Sequence, residues 1–281
     1  MQNRVLVTTA SGVLGRAIVE AGVKAGLPLR QGVRDLAKAR HNVDAVRLDY
    51  ADPATIAPAL SGVSAMILMA PPLDGDAPAK LAPVIAAAAA ASVRHIVLIS
   101  AFGVNHNEQA PLRIVEHLVM DSGIPFTILR PNFLMENFSE GFLAGGIRHN
   151  QAIYLAASDG KTSFISARDV AVAAIVALLR SRVDTAFDLT GPAALDHTEV
   201  AALISKASSH TVTYHSLTEQ AMLDGARSTG MPEPVVGYLG ALYAVVRAGF
   251  AAPVTNDFET LTGKAPISFE AFTCASSAAW R

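Results

Sequence analysis

Seven short runs of aliphatic and β-branched residues, interleaved with stretches of helical character, fill the first two thirds of the chain, and no other feature narrows the fold so far. The runs are Arg4 to Thr8, Leu29 to Val33, Ala45 to Leu48, Ala65 to Met69, His95 to Ser100, Phe126 to Leu129 and Ala186 to Leu189. Helices are predicted over Val13 to Ala25, Ala54 to Leu60, Pro78 to Ala91, Leu112 to Asp121 and Ala167 to Leu179. Strands that alternate with helices predict βαβ units around a parallel sheet. The expected fold is α/β, a doubly wound (Rossmann-type) parallel sheet with helices on both faces.

After Thr190-Gly191-Pro192 the pattern changes. HTEVAALISKASSH reads as a capped helix, TVTYHSL as a short strand and the remainder mostly as helix. A smaller, mostly helical C-terminal lobe is therefore expected, joined by the insertion from Asn137 to Thr162. The division is a dinucleotide-type core of residues 1–136 plus 163–191 and a substrate lobe of residues 137–162 plus 192–281, packed as one compact unit. Ligands of such sheets bind beyond the carboxyl ends of the strands, where this lobe can close a pocket.

Composition bounds the partners. With 51% hydrophobic and 16% charged residues the chain has ample material for a core, and a net charge of -2 without a basic block gives no footprint for nucleic acid or an anionic membrane. A small-molecule substrate is expected; monomer and homodimer stay open. Cys274 is the only cysteine, which leaves no disulfide framework or cysteine metal cluster and fits a reducing compartment. No metal site is expected, since His210 and His215 flank a strand and face opposite ways. The chain passes from Met1-Gln2-Asn3-Arg4 directly into VLVT, and the apolar segments Ile85 to Ala91 and Val170 to Leu179 are far short of the ~20 residues that span a bilayer. A cytoplasmic location is expected.

The first strand runs into Thr9-Ala10-Ser11-Gly12-Val13-Leu14-Gly15, a G-x-x-G-x-x-G frame whose first position is threonine. Gly12 would admit a pyrophosphate close to the backbone, Gly15 would let the helix pack tightly on the strand, and the helix N-terminus would supply N–H donors. A β-branched residue is poor at positive φ, so the turn is expected either to be rebuilt or to keep Thr9 at negative φ, with the hydroxyls of Thr8, Thr9 and Ser11 reaching phosphate. Arg34 follows Gly15 by 19 residues, with Lys38 one turn on. An arginine at this strand end clamps a 2′-phosphate, which favours NADP(H); the adjacent Asp35 keeps NAD(H) as the alternative. Asp49 at the end of the third strand is a candidate for the adenine end.

The run of motifs VTTASGVLG, GVRDLAKA, LDYADPATIAPALSGVSAMILMAPP, HIVLISAFGV, SGIPFTILRPNFLMENF and FISARDVAVAAIVALL resembles the NmrA-like group of atypical short-chain dehydrogenases/reductases, over nearly the whole chain. That group includes flavin-free reductases of quinones, triphenylmethane dyes, azo dyes, iminium alkaloids and phenylpropanoid ethers. It also includes regulators that bind the dinucleotide without catalysis. The resemblance implies that Gly12, Val13, Leu14 and Gly15 contact the phosphates, Arg34 the 2′-phosphate, Asp49 and Tyr50 the adenine region, and Ala70 and Pro71 the ribose beside the nicotinamide. Ser100, Ala101 and Phe102 would line the nicotinamide, with Pro131, Asn132 and Phe133 at its far edge.

The Y-x-x-x-K pair of typical short-chain dehydrogenases is absent: no tyrosine here has a lysine four residues later. In the helix after Ser100, where some members keep a lysine, stand Leu112, Arg113 and Glu116. Ketone reduction develops charge on oxygen and needs a positioned acid. Without one, the expected acceptors take hydride readily: quinones, iminium ions, cationic dyes, azo bonds or activated enones. The expected function is thus flavin-free, NAD(P)H-dependent reduction of a conjugated electrophile, the alternatives being a non-catalytic NADP(H) sensor and a ketone dehydrogenase using Glu116 as acid. Ser100, Asn132 and Glu136 are the candidate catalytic residues, and Phe102, Met135, Asn137, Phe138, Phe142 and Tyr154 the candidate substrate wall. Asp169, at the start of its helix, reads as structural.

Overall fold

The computed structural model describes residues 4–180 and 184–281. Residues 1–3, where the stretch read as leaderless begins, lie outside them. The strands are β1 (Arg4–Val7), β2 (Leu29–Val33), β3 (Asp44–Arg47), β4 (Val63–Met69), β5 (Ile96–Ile99), β6 (Phe126–Pro131), β7 (Ala152–Leu155), β8 (Thr185–Leu189) and β9 (Thr213–Ser216). The helices are α1 (Val13–Lys24), α2 (Ile56–Leu60), α3 (Ala77–Ala90), α4 (Pro111–Met120), α5 (Ala144–Asn150), α6 (Ala167–Leu179), α7 (His197–Ser208), α8 (Glu219–Ser228), α9 (Glu233–Arg247), α10 (Asp257–Thr262) and α11 (Phe269–Ser276). No helix among the described residues is long and apolar enough to cross a membrane.

All seven expected strands join one sheet in the order β3-β2-β1-β4-β5-β6-β8, every neighbouring pair parallel. Side chains alternate between faces along a strand, and both faces are apolar. Val5, Val7, Ile67, Met69, Val97 and Ile99 meet α1 and α6 on one side, while Leu6, Met66, Leu68, Ile96 and Leu98 meet α2, α3 and α4 on the other. Burial on both faces is why these strands read as unbroken aliphatic runs. Strand order reverses between β1 and β4, so the crevice beyond their carboxyl ends is the topological switch point where such sheets bind ligands.

The lobe has its own core, gathered from Met135 to Phe164 and from Val200 to Trp280. Its two strands β7 and β9 pair in parallel, Tyr154 beside His215; β7 lies in the insertion and was not expected. Trp280 is buried and its Nε1 donates to the Phe138 carbonyl at 2.7 Å. One tail segment departs from the expected boundary. Phe258 and Leu261 of α10 pack with α6 against the sheet, and just before them Thr255 N donates to Thr190 Oγ1 at 3.0 Å while Asp257 accepts from Asp188 N at 2.7 Å. The tail thus covers the open edge of β8, which would otherwise be left to pair with another chain.

The turn between β1 and α1 positions the crevice. A Cβ on Gly15 would lie 2.4 Å from the Thr9 carbonyl oxygen and 2.7 Å from Ala10 Cα, so α1 seats on the strand end only because this residue is glycine. Thr9 does not keep a negative φ: it lies at +46°. The chain holds a β-branched residue in the left-handed region, against its steric preference.

Thr9→Gly is expected to raise the unfolding free energy by about 1 kcal/mol, as relief of this strain outweighs the extra chain entropy of glycine; urea denaturation followed by circular dichroism measures it. Trp280→Ala is expected to cost about 3–5 kcal/mol in the same experiment, the range for emptying a large aromatic site.

Candidate functional site

Gly12 is the N-cap of α1, with φ -73° and no side-chain cap, and the first turn carries no acidic residue. Helices α6, α7, α8 and α11 are capped by the side chains of Ser166, Asp196, Thr218 and Ser268, whereas α1, like α3, α4 and α9, has no side-chain cap. The first N–H groups of α1 are therefore left to an external acceptor, at the positive end of the helix dipole. A Cβ on Gly12 would find only the Thr9 carbonyl within contact range, at 3.5 Å. Neither its φ nor its neighbours in the chain demand glycine there, so the space it leaves suits a close-lying anion. These residues fit the pyrophosphate of a dinucleotide.

The other cofactor candidates follow the carboxyl ends of β2, β3 and β4, strands that lie side by side with β1 in the sheet. Arg34 and Lys38 are exposed past the end of β2, while the Asp35 carboxylate accepts from Ala37 N at 3.0 Å. Val13, Leu14 and Ser11 are half-buried at the start of α1, and Ala70 and Pro71 half-buried just beyond β4. Asp49 accepts from Ala51 N at 3.1 Å. Two hydroxyls have other partners. Tyr50 donates to the Met69 carbonyl at 2.8 Å, and Thr8 Oγ1 accepts from Met69 N at 2.9 Å. Burial pushes the Tyr50 phenol above its ordinary range. Thr8 is fully buried and ties β1 to β4, so its expected reach to phosphate is withdrawn.

Phe102 N donates to the Pro131 carbonyl at 3.0 Å, which sets Ser100, Ala101 and Phe102 beside Pro131 and Phe133 at the ends of β5 and β6. Ser100 Oγ is buried there without a partner of regular hydrogen-bond geometry, although it lies close enough to Glu116 to favour the carboxylate. Glu116 itself is fully buried and held by two arginines. Arg130 grips both oxygens, at 2.8 and 2.9 Å, and Arg113 reaches one at 2.9 Å. Burial opposes its charge, but the bonds from Arg130 and Arg113, with the nearby Ser100 hydroxyl, outweigh that and hold the carboxyl below its usual range. Arg130 continues to Asp188 at 3.5 Å, and Arg113 to Glu108 at 3.0 Å. An ionised acid in such a network is no proton donor. The reading of Glu116 as the acid of a ketone dehydrogenase is overturned.

Two of the three catalytic candidates prove to be fasteners. Asn132 Nδ2 donates to Ser163 Oγ and to the Ala251 carbonyl, both at 2.8 Å, and Oδ1 accepts from Phe133 N at 3.0 Å. Glu136 accepts from Ser166 Oγ at 2.8 Å and from Ala167 N at 2.7 Å, which places its carboxylate on the N-terminus of α6. Burial pushes its carboxyl above the ordinary range, against the pull of those bonds. Beside it Asp169 is pushed up to about 6, chiefly by burial, with the Ile267 N–H bond opposing and Glu136 adding to the rise. Asp169 anchors the tail by that bond, at 2.8 Å, a structural role as expected.

The substrate wall is corrected as well. Met135 and Phe138 are 1% exposed, and Phe138 is boxed in by Phe164, Phe269 and His197. They are lobe core because the chain after β6 turns directly into the lobe. Asn137 is half-buried, and its backbone carbonyl accepts from Leu143 N at 3.2 Å. Phe142 and Tyr154 are exposed, but Tyr154 stacks on His215 at 5.0 Å in the small sheet. Phe102 and Phe133 remain at the strand ends. Sequence reasoning missed Tyr243, whose ring centroid lies 6.1 Å from that of Phe133, and Arg130, the partner of Glu116. It also missed Arg16, which bonds the turn at Ser11. Of these, only Arg16, one residue past Gly15, carried a local signal.

The profile of the NmrA-like family matches residues 1–249. An NAD(P)H azoreductase of Xenophilus azovorans is 32% identical, with 98% of this chain and 99% of the relative covered. Quinone oxidoreductase 2 of Escherichia coli is 30% identical, over 84% and 85% of the two chains. The crystal structure of the NADPH-dependent quinone oxidoreductase QOR2 of Escherichia coli, complexed with NADPH, superposes with a TM-score of 0.83 at 26% identity, covering 96% of this chain and 99% of that one. With fold, turn and full-length similarity in agreement, this chain belongs to the NmrA-like family.

Proposed function

We propose that the protein is a flavin-free reductase that transfers hydride from NADPH to a conjugated, electrophilic small molecule of quinone, azo, imine or dye type. The observation that carries this reading is that the acids near the carboxyl edge of the sheet are engaged by partners within the chain. Glu116 is locked as a carboxylate between Arg130 and Arg113, Glu136 caps α6, and the Tyr50 hydroxyl is bound to Met69. Acceptors whose charge is delocalised or neutralised by hydride need no acid at that point. The similarity over almost the whole chain to an azoreductase supports the same class.

A bound nicotinamide dinucleotide supplies the hydride. The chain's part is to bind and orient it: Gly12, Val13, Leu14 and Gly15 with Thr9 and Ser11 at the pyrophosphate, Asp49 and the Tyr50 ring at the adenine, Ala70 and Pro71 at the ribose. Ser100, Ala101, Phe102, Pro131 and Phe133 form the dry wall at which donor and acceptor meet, and Ser100 has a hydroxyl to offer an amide or a carbonyl. Arg34 and Lys38 stand exposed where a 2′-phosphate would lie, while the Asp35 carboxylate is engaged by its own backbone. That arrangement supports preference for NADP(H) over NAD(H).

Single-turnover oxidation of NADPH is expected with a quinone, an azo dye and a cyclic imine, and not with a simple ketone; ketone reduction at a comparable rate would refute the class. Arg34→Ala is expected to weaken NADPH binding about tenfold, one lost charge-assisted contact, and to leave NADH binding unchanged, as fluorescence titration would show.

A further inference from the structure

Arg16 joins three parts of the molecule. It lies in the first turn of α1, where Nη1 donates to the Ser11 carbonyl at 2.8 Å and Nη2 pairs with Glu140 at 2.5 Å. Ser11 immediately precedes the N-cap Gly12. Glu140 stands in the segment that leads from β6 into the lobe, and its backbone N–H is anchored to the Glu136 carbonyl at 3.0 Å. The pair therefore spans core and lobe at the rim of the glycine turn, with both side chains about half exposed.

The electrostatics of that rim are unequal. The N-terminus of α1 has no cap and no acid in its first turn, so it favours an anion, and Arg16 adds a cation at the same spot. Glu140 is the anion that the folded chain brings there. An exposed arginine–carboxylate pair is worth only about 0–1 kcal/mol, whereas a guanidinium grips phosphate oxygens with a planar fork at little loss of its own freedom. A pyrophosphate seated on α1 can thus take Arg16 from Glu140 at small cost.

We infer that Arg16 is a side-chain ligand of the dinucleotide pyrophosphate and that Glu140 is a built-in competitor for it, so that this ion pair sets cofactor affinity. The inference rests on the reading that the glycine turn receives the pyrophosphate. It makes Arg16 a positioning residue for the cofactor, independent of the 2′-phosphate contacts at Arg34. Cofactor entry frees Glu140, and with it a restraint on the segment that carries the exposed Phe142.

The test is titration of the full chain with NADPH, NADH and adenosine 2′-monophosphate, the last having the 2′-phosphate but no pyrophosphate. Arg16→Met is expected to weaken NADPH and NADH equally, by about tenfold, and Glu140→Gln to tighten both by about threefold. Neither should change binding of adenosine 2′-monophosphate. Arg16→Lys, which keeps the charge and loses the fork, should fall between wild type and Arg16→Met. A pair that merely ties lobe to core predicts that both substitutions shift dinucleotide affinity in the same direction; that result, or unchanged affinity in Arg16→Met, overturns the proposal. Failure of the wild-type protein to bind either dinucleotide would instead overturn the reading of the turn, and the proposal with it.

Discussion

The seat of α1 on the end of β1 is the constraint from which the rest of the site follows. The helix begins so close to the turn that one methyl group at Gly15 would strike the Thr9 carbonyl. This approach aims the helix N-terminus into the crevice between β1 and β4, and it fixes Thr9 in a conformation that threonine disfavours. Gly12 is under no such pressure from within the chain. One glycine of the frame is therefore required by the fold while the other leaves open space at the helix start, and the strained residue between strand and helix lies against the Gly15 position.

Polar groups at the carboxyl edge divide into those that hold the architecture and those left over for chemistry. Asn132 fastens the segment at Ala251, Glu136 caps α6, Asp169 anchors Ile267, and Arg130 with Glu116 bridges the β6 end to α4. Each is a buried polar group satisfied by partners. Breaking the buried Glu116–Arg130 ion pair by removing one partner is strongly destabilising, so Glu116 is poorly suited to change protonation during a reaction. Beside these groups, at the ends of β5 and β6, stand the aromatic rings of Phe102 and Phe133 and the buried Ser100 hydroxyl.

The fold was legible because its strands are buried on both faces, which writes continuous aliphatic runs such as IVLI at β5 into the sequence. The strand β7 was not, since its four residues sit inside a segment without periodicity and pair with a strand some sixty residues later. Near the site, the close turn from β1 into α1 at Gly15 and the exposed position of Arg34 after β2 were readable from local sequence. The uses of Asn132 and Glu136 were not, because their partners at Ala251 and Ser166 are distant in sequence and polar residues past a strand end look alike whether they serve substrate or backbone. Phe138 and Met135 misled for a related reason: an aromatic after β6 fits a pocket wall and a lobe core equally well until the path of the chain is known.

Trp280 closes the lobe by a hydrogen bond to Phe138, a partner 142 positions earlier in the chain. Between them lie α6 and β8 of the sheet core, so closing the lobe brings together segments from both sides of that part of the chain. Contacts of such long sequence separation form slowly, because loop-closure entropy is lost before their packing can stabilise the chain. Folding should accordingly end in the lobe. Until that step its aromatic interior is open to solvent, and the chain's vulnerability to aggregation is concentrated in this last stage.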